Sequence, residues 1–332
     1  MELEECTLSC KVIYFEKVFT ATHEIINTFK SLDMEVKYWI DLDDVKREQA
    51  LHEANYLITA SYPITRELLE KAPNVKLIQK TGSGVDNIDL NAASELGIHV
   101  ASTPGANSNS VVELTIGMII SLYRKLHFLD RVTKSGEWKM WEYRPSMFEV
   151  NGKTHGIIGI GNIGKKVAAL SKAFGTNVVY YDVNRLSMEE EKKLGLTYVT
   201  FNDLLSQSDI ISLHIPLIPA TRNLIGEKEL KLMKSSAILV NVARGNIIDE
   251  KSLAEALKCN RLLGAAIDTW SSEPINSDNP LLKLDNILAT PHIAGGTRDV
   301  LETVLRLSFE NIRKVEDGNM PDNLVKLTSA SV

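Results

Sequence analysis

Short β-branched runs alternate with amphipathic stretches along nearly the whole chain, and this rhythm restricts the fold more than any other feature. "KVIYF", "EVKYW", "NYLITA", "VKLIQK" and "IHVAS" occupy the first part; "HGIIGI", "NVVYYD", "DIISLHI", "AILVNVA", "LLGAAID" and "NILAT" follow later. Those that read as continuous apolar runs suit strands buried on both faces, as in a parallel sheet covered by helices. Helical patterns lie between them. In "GNIGKKVAALSKAFG", for instance, Ile163, Val167, Leu170 and Phe174 fall on one face. The βαβα order predicts an α/β protein with doubly wound parallel sheets.

The rhythm breaks once, between about 104 and 155. "NSNSVVELTIGMIISLYRKLHFLDRVTKSGEW" reads as one long helix and a shorter one, followed by the loop-like "KMWEYRPSMFEVNGKT". This segment reads as a join between two α/β units, the second beginning in earnest at His155. A final helix, from about Thr297 to Asp317, follows the last strand and can return to the first unit. A length of 332 residues suits two domains, each able to fold without disulfide or metal.

Charge and cysteine usage narrow the partners. The net charge is −6, from 37 basic and 43 acidic residues with no basic block, which gives no reason to expect nucleic acid or a membrane surface. Cys6, Cys10 and Cys259 are odd in number and lack CxxC or metal-like spacing, against a disulfide framework or a zinc site. The start, "MELEECTLSCKVIYF", is acidic where a secretory signal is basic. The longest apolar stretch, near "LTIGMIISLY", is about half a membrane span. The expectation is a soluble, cytoplasmic protein.

"GIIGIGNIGKKVA" places Gly159, Gly161 and Gly164 in the order G-x-G-x-x-G, directly after a strand and opening a helix. The first glycine allows a tight turn, the second admits a pyrophosphate close to the backbone, and the third lets helix pack on strand. The helix N-terminus supplies N–H groups and a positive dipole end for the phosphates. The next strand ends at Asp182, 18 residues past Gly164. A carboxylate there should hydrogen-bond the adenosine ribose and repel a 2′-phosphate, which predicts NAD (NADH) and makes NADP the lesser candidate. Arg185, close by, could soften that discrimination.

Further charged or titratable residues lie at or just beyond strand ends: Arg244 in "AILVNVARGNIIDE", Asp268 and Glu273 in "GAAIDTWSSEPI", and His292 in "NILATPHIAGG". Loops beyond the carboxyl ends of such strands form the ligand crevice, so all four should point toward the nicotinamide. The residue types suit hydride transfer beside a carboxylate. Arg244 can hold the carboxylate by two hydrogen bonds, His292 can give and take a proton near neutrality, and Glu273 can orient the imidazole and favour its charged form. Each has an ordinary structural reading when taken alone; their joint placement behind a dinucleotide fingerprint does not.

With these motifs in view, the chain resembles the D-isomer-specific 2-hydroxyacid dehydrogenase family. "KTGSGVDNIDL", "NSVVELTIGMII", "GKTHGIIGIGNIG", "SLHIPL", "NVARGNIIDE", "IDTWSSEP" and "TPHIAGGT" carry the resemblance, in order, from about residue 75 to 300. It implies two Rossmann-like doubly wound domains with a cleft between them: a flavodoxin-like substrate domain from 1–104 plus 298–332, and an NAD-binding domain from 105–297 that includes a dimerisation arm at about 108–150. It implies Arg244 as carboxylate binder, His292 as acid/base and Glu273 as its partner. Besides the three glycines, it places Asn162, Ile163, Asp182, Ile215, Pro216, Thr221, Val242, Asp268 and Gly295 against NAD, with Asp268 near the nicotinamide amide. Backbone N–H groups of Ser83 and Gly84 would help hold the substrate. One departure is His155, where the family has an aliphatic residue; its place at the start of a strand reads as structural.

The resemblance leaves the acid itself open. Phosphoglycerate-specific relatives need several cations; Lys80 could serve, but the "ITASYPIT" loop offers Tyr62 and no cation. The chain also ends near 332, without the family's regulatory extension. "GEWKMWEYRP" resembles the tryptophan-bearing segment of glyoxylate and hydroxypyruvate reductases, where a partner's tryptophan nears the active site; Trp141 is the candidate, with packing across the arm as its alternative. A small 2-oxo acid such as glyoxylate, hydroxypyruvate or pyruvate is favoured, on a homodimer. Formate dehydrogenases fit less well, because Glu273 stands where they use glutamine. Corepressors of this fold bind NAD(H) without turnover but carry disordered tails, and here only "KLTSASV" is tail-like.

Overall fold

The computed structural model describes residues 10–325, so Cys6, the first residues and the "KLTSASV" tail lie outside the described residues. Two compact units emerge: the described residues up to Asn107 group with those from Arg298 onward, and Ser108–Thr297 form the other.

The first unit holds β1 (Cys10–Tyr14), β2 (Met34–Tyr38), β3 (Tyr56–Thr59), β4 (Leu77–Lys80) and β5 (His99–Ala101), in the order β2-β1-β3-β4-β5. Every pairing among them is parallel. Successive strand side chains point to opposite faces, so Ile13, Leu57 and Ile78 enter one core and Val12, Tyr14, Ile58 and Leu77 the other. The second face is covered by the helix Arg298–Glu316 through Leu305, Phe309 and Ile312. Two polar side chains of that helix, Ser308 and Asn311, are buried too. Asn311 donates to Gln79 Oε1 (2.8 Å) and accepts from the Asp322 N–H (2.8 Å), so its amide is satisfied on both sides.

The second unit holds β6 (Thr154–Ile158), β7 (Asn177–Tyr181), β8 (Thr197–Tyr198), β9 (Ile210–Leu213), β10 (Ile238–Asn241), β11 (Gly264–Ile267) and β12 (Ile287–Ala289), again all parallel. Their order is β12-β11-β10-β9-β6-β7-β8. The chain reverses direction across the sheet between β6 and β9, and that switch point is where such sheets open a ligand crevice at their carboxyl ends.

Two readings of the residues are corrected here. The second unit begins at Ser108, near the 105 that the resemblance implies and well before His155: the helix Ser108–Tyr123 buries Val111, Met118, Ile119 and Leu122 with Ile238, Val240 and Ala266 of β10 and β11. That helix is therefore a layer of its own unit, and the exposed apolar side chains Trp138, Met140 and Trp141 lie on the segment after it. On the helix Asn162–Ala173 the buried stripe is Gly164, Val167, Ala168 and Ser171, whereas Leu170 and Phe174 are exposed. Close approach of helix to strand selects small residues, so size overrides hydrophobicity in setting the face. The strand β8 lacked a sequence signal, being two residues long.

His155 is fully buried, with Nδ1 2.8 Å from Ser171 Oγ and Nε2 2.8 Å from Ser212 Oγ. Ser212 also meets His214 Nε2 at 2.9 Å. Burial pulls the imidazole of His155 down to about 3, so the ring is a neutral hydrogen-bonding strut between β6, β9 and the helix above them.

Candidate active site

The glycine-rich turn follows β6 at the switch point. Gly159 has φ +96°, and a Cβ there would lie 2.6 Å from the His214 carbonyl oxygen. At Gly164 a Cβ would lie 2.1 Å from the Gly159 oxygen, so helix and turn touch through bare backbone. Gly161 differs: it is the N-cap of the helix Asn162–Ala173, and nothing lies within 4 Å of where its Cβ would be. Open space in front of unpaired helix N–H groups is what a pyrophosphate requires. Asn162 is exposed at the head of this helix and Ile163 half-buried behind it.

Asp182 closes β7 and reaches back to the turn, accepting from the Ile160 N–H (2.8 Å) with one oxygen and the Asn184 N–H (2.9 Å) with the other. Across the switch point, Ile215 abuts Gly159. In the loop it begins, the Thr221 hydroxyl donates to the Pro216 carbonyl (2.7 Å), so Thr221 shapes the loop from within. Val242 is buried at the end of β10, and Gly295 is half-buried. The residues present fit a dinucleotide, on the open cradle at Gly161 above all.

The chemical groups come from the ends of three adjacent strands. β10 leads to Arg244, whose turn is set by the buried Asn241: its amide donates to the Arg244 carbonyl (2.9 Å) and accepts from the Ala243 N–H (3.1 Å). The next residue, Gly245, lies so close to β11's loop that a Cβ would stand 1.8 Å from the Trp270 carbonyl oxygen. That loop carries Glu273, whose Oε1 accepts from the Trp270 N–H (2.9 Å). Trp270 in turn donates through Nε1 to the Thr290 carbonyl (2.9 Å), joining the loop of β11 to that of β12.

His292 sits on the β12 loop with φ +54°, a conformation uncommon outside glycine. It is held there by its own N–H, which donates to the Asp268 carbonyl (2.7 Å), and by the Asp268 carboxylate, which accepts from the N–H groups of Ile293 (2.8 Å) and Ala294 (2.9 Å) and from the Thr290 hydroxyl (2.6 Å). Strained backbone of this kind persists only where the surroundings over-determine it. The Asp268 side chain is fully buried at the end of β11 and engaged in fixing this loop.

His292 Nδ1 lies 2.7 Å from Glu273 Oε2, both side chains being partly exposed. Burial alone would raise the Glu273 carboxyl. The hydrogen bonds from His292 and the Trp270 N–H, with the positive charges of His292 and Arg244, outweigh it and hold the group below the ordinary glutamate range. The sheet therefore gathers the guanidinium, the carboxylate and the imidazole into one electrostatic neighbourhood. The Arg244 guanidinium also donates to the Ala243 carbonyl (2.8 Å).

In the first unit, Ser83 is exposed and Gly84 half-buried in the turn after β4. The Tyr62 ring stacks on Phe15 (centroids 4.7 Å apart) and meets Trp39 edge-on. Lys80 is buried, donating to the Ala60 carbonyl and to Asn87 Oδ1 (2.7 Å), so it serves its own loop. In the second unit, Trp141 is 65% exposed with the Arg144 guanidinium over its ring. Sequence reasoning missed Asn241, Gly245 and Trp270. Only the first carried a signal, as a polar side chain ending an otherwise apolar strand.

Residues 116–294 match the family model described as "D-isomer specific 2-hydroxyacid dehydrogenase, NAD binding domain". The chain is 37% identical over 323 residues to a glyoxylate reductase from Aeropyrum pernix, covering 95% of each protein. It is 39% identical over 298 residues to a D-3-phosphoglycerate dehydrogenase from Archaeoglobus fulgidus; that match covers 90% of this chain and 56% of the relative, so the chain spans about half the length of such proteins. Among solved structures, an NAD-dependent formate dehydrogenase from Staphylococcus aureus in complex with NAD superposes with a TM-score of 0.84 at 30% identity, over 96% of this chain and all of that one.

Proposed function

Because the chain belongs to the D-isomer specific 2-hydroxyacid dehydrogenase family, we propose that it interconverts a small, unphosphorylated 2-oxo acid and its 2-hydroxy acid, using NAD(H). Glyoxylate is the favoured substrate, with hydroxypyruvate and pyruvate as the next candidates. The observation that carries the reading is the His292–Glu273 contact of 2.7 Å with Arg244 on the neighbouring strand's loop.

NADH, when bound, supplies the hydride that reduces the substrate's C2. The chain supplies position, charge and a proton. Arg244 pairs with the substrate carboxylate and polarises the adjoining carbonyl. Glu273, kept ionised by its surroundings, accepts from the Nδ1–H of His292 and stabilises the imidazolium, which leaves Nε2 to face the substrate. As C2 is reduced, negative charge gathers on its oxygen, and the Nε2 proton moves there to give the alcohol and a neutral imidazole. In the oxidative direction the same nitrogen takes the hydroxyl proton. The φ of +54° at His292 serves this role, since the aim of Nε2 is fixed by backbone and not by rotamer choice alone.

Two contacts in the first unit favour an unphosphorylated acid. Lys80 is engaged with Ala60 and Asn87. The N–H groups of Ala60 (2.8 Å), Ser61 (2.7 Å) and Tyr62 (3.1 Å), which could cradle an anion, all donate to Glu16 Oε1 instead. Similarity to glyoxylate reductases over nearly the full length points the same way. NADH oxidation by the purified chain should be fastest, as kcat/KM, with glyoxylate among glyoxylate, hydroxypyruvate, pyruvate and 3-phosphohydroxypyruvate. A preference for the phosphorylated acid would move the assignment to phosphoglycerate chemistry. Tight NAD(H) binding with no turnover would make the protein a nucleotide-sensing module.

Trp138 (80% exposed), Met140 (54%) and Trp141 (65%) leave apolar surface on the segment after Lys134, which supports a homodimer formed through it. Light scattering at micromolar protein should give twice the chain mass. The free thiols of Cys10 and Cys259 support a reducing, cytoplasmic setting, and among the described residues no helix is long and apolar enough to cross a membrane.

A further inference from the structure

The turn after β7 contains an arginine that a 2′-phosphate could use. Arg185 follows Asp182 by three residues, and arginine is the side chain whose fork matches a phosphate and marks NADP sites of this architecture. In this structure the fork is already closed. Its Nε donates to Glu191 Oε1 (2.8 Å) and its Nη2 to Glu191 Oε2 (3.0 Å), while the guanidinium lies 4.8 Å over the Tyr198 ring.

The carboxylate that closes it belongs to the fold. Glu191 is only 12% exposed, against 54% for Arg185. It also accepts from the Tyr180 hydroxyl (2.7 Å), whose oxygen accepts the Leu186 N–H (3.0 Å). Hydrogen bonds from Arg185 and then Tyr180, working against burial, pull the Glu191 carboxyl down to about 2, so it stays ionised across the working range. The other cation nearby, Lys165 at the head of the glycine-turn helix, is held by Glu190 (3.2 Å). Arg185 and Lys165 are thus each paired with a glutamate of the helix Met188–Leu194.

We propose that Glu191 is a specificity-determining residue, which withholds Arg185 from the ribose 2′-position and so makes the site take NAD(H) and refuse the 2′-phosphorylated cofactor. For Arg185 to serve a phosphate it would have to leave a bidentate partner and strand a largely buried carboxylate. The incoming dianion would also meet Asp182 and the glutamates of that helix at close range. Asp182 recognises the hydroxyl and repels a phosphate; the Arg185–Glu191 pair withholds the cation that would otherwise offset that repulsion.

The inference rests on the adenosine ribose lying at Asp182 and not on turnover, so binding tests it separately from the proposed reaction. Calorimetry should compare NAD+ and NADP+ on the full chain as wild type, Arg185→Ala, Glu191→Gln and the double variant. Glutamine keeps an acceptor for Tyr180. Arg185→Ala should leave both affinities within about twofold of wild type, because the arginine is already withheld. Glu191→Gln should tighten NADP+ by about tenfold or more, the worth of one charge-assisted contact, with NAD+ little changed. The double variant should lose that gain. Weaker NADP+ binding in Arg185→Ala would overturn the proposal, since the arginine would already be serving the phosphate. So would unchanged NADP+ binding in a folded Glu191→Gln, or a gain that survives in the double variant.

Discussion

Replacing His155 by leucine should change how the second unit responds to acid more than how stable it is at neutrality. The ring is fully buried between two serine hydroxyls, and burial lowers its value from 6.5 to about 3. The folded state therefore holds it neutral, while the unfolded chain takes up a proton below about 6.5. With the folded value the lower one, the contribution is complete above pH 6.5 and declines as pH falls toward 3, by about 1.4 kcal/mol per pH unit. Between pH 7 and 5 this single group should remove about 2 kcal/mol of stability. Leucine cannot protonate and has a similar volume. Ser171 keeps its bond to Thr176 Oγ1 (2.7 Å) and Ser212 its bond to His214, so the neutral-pH cost should stay near 1–2 kcal/mol, about the scale of one lost buried hydrogen bond. Urea unfolding at pH 7, 6 and 5, followed by fluorescence in a variant keeping Trp270 as its single tryptophan, reads the second unit directly. The acid dependence of His155→Leu should be shallower than wild type by about 2 kcal/mol over that interval. Parallel losses in the two proteins would refute the assignment of a neutral, buried imidazole.

Arg244→Ala should lower kcat/KM for the 2-oxo acid by roughly a hundredfold or more, as expected when a charge-assisted clamp is lost, with NADH affinity nearly unchanged; a loss of only a few-fold would move the carboxylate site elsewhere. Gly245→Ala places a methyl group 1.8 Å from the Trp270 carbonyl oxygen, so the arginine loop must shift. Steady-state kinetics should show kcat/KM falling at least about tenfold in a chain whose circular dichroism is unchanged. Asp182→Ala should weaken NAD+ about tenfold by calorimetry, since the ribose loses its acceptor and the Ile160 N–H its partner; unchanged affinity would remove Asp182 from the site.

Much of this was legible in the chain because the signals are local. Every strand except β8 overlaps one of the runs quoted from the sequence, and the glycine spacing specifies its own turn, with φ +96° at Gly159 and open space at Gly161. Arg244 and His292 could be singled out because each lies three residues past the end of a strand, and Glu273 because it lies in the short loop six residues past β11. What stayed hidden depends on contacts between segments far apart in sequence. The inward face of the glycine-turn helix is chosen by the strand beneath it, and the destination of the helix Ser108–Tyr123 by strands that begin more than a hundred residues later. Asp268 illustrates the limit best. Its position at a strand end suggested a ligand contact but carried no sign that it also anchors the β12 loop, bonding Thr290, His292, Ile293 and Ala294.

The interlock of Gly245 on Trp270, Trp270 on Thr290, and Asp268 on the residues after His292 has a practical meaning for anyone reusing this chemistry. The proposed reacting groups are a cassette, their three peptide segments bracing one another through these contacts. Moving the histidine segment alone into a foreign scaffold would leave a glycine-like backbone kink with nothing to brace it. A transplant would have to carry all three segments, on neighbouring parallel strands and in their present order.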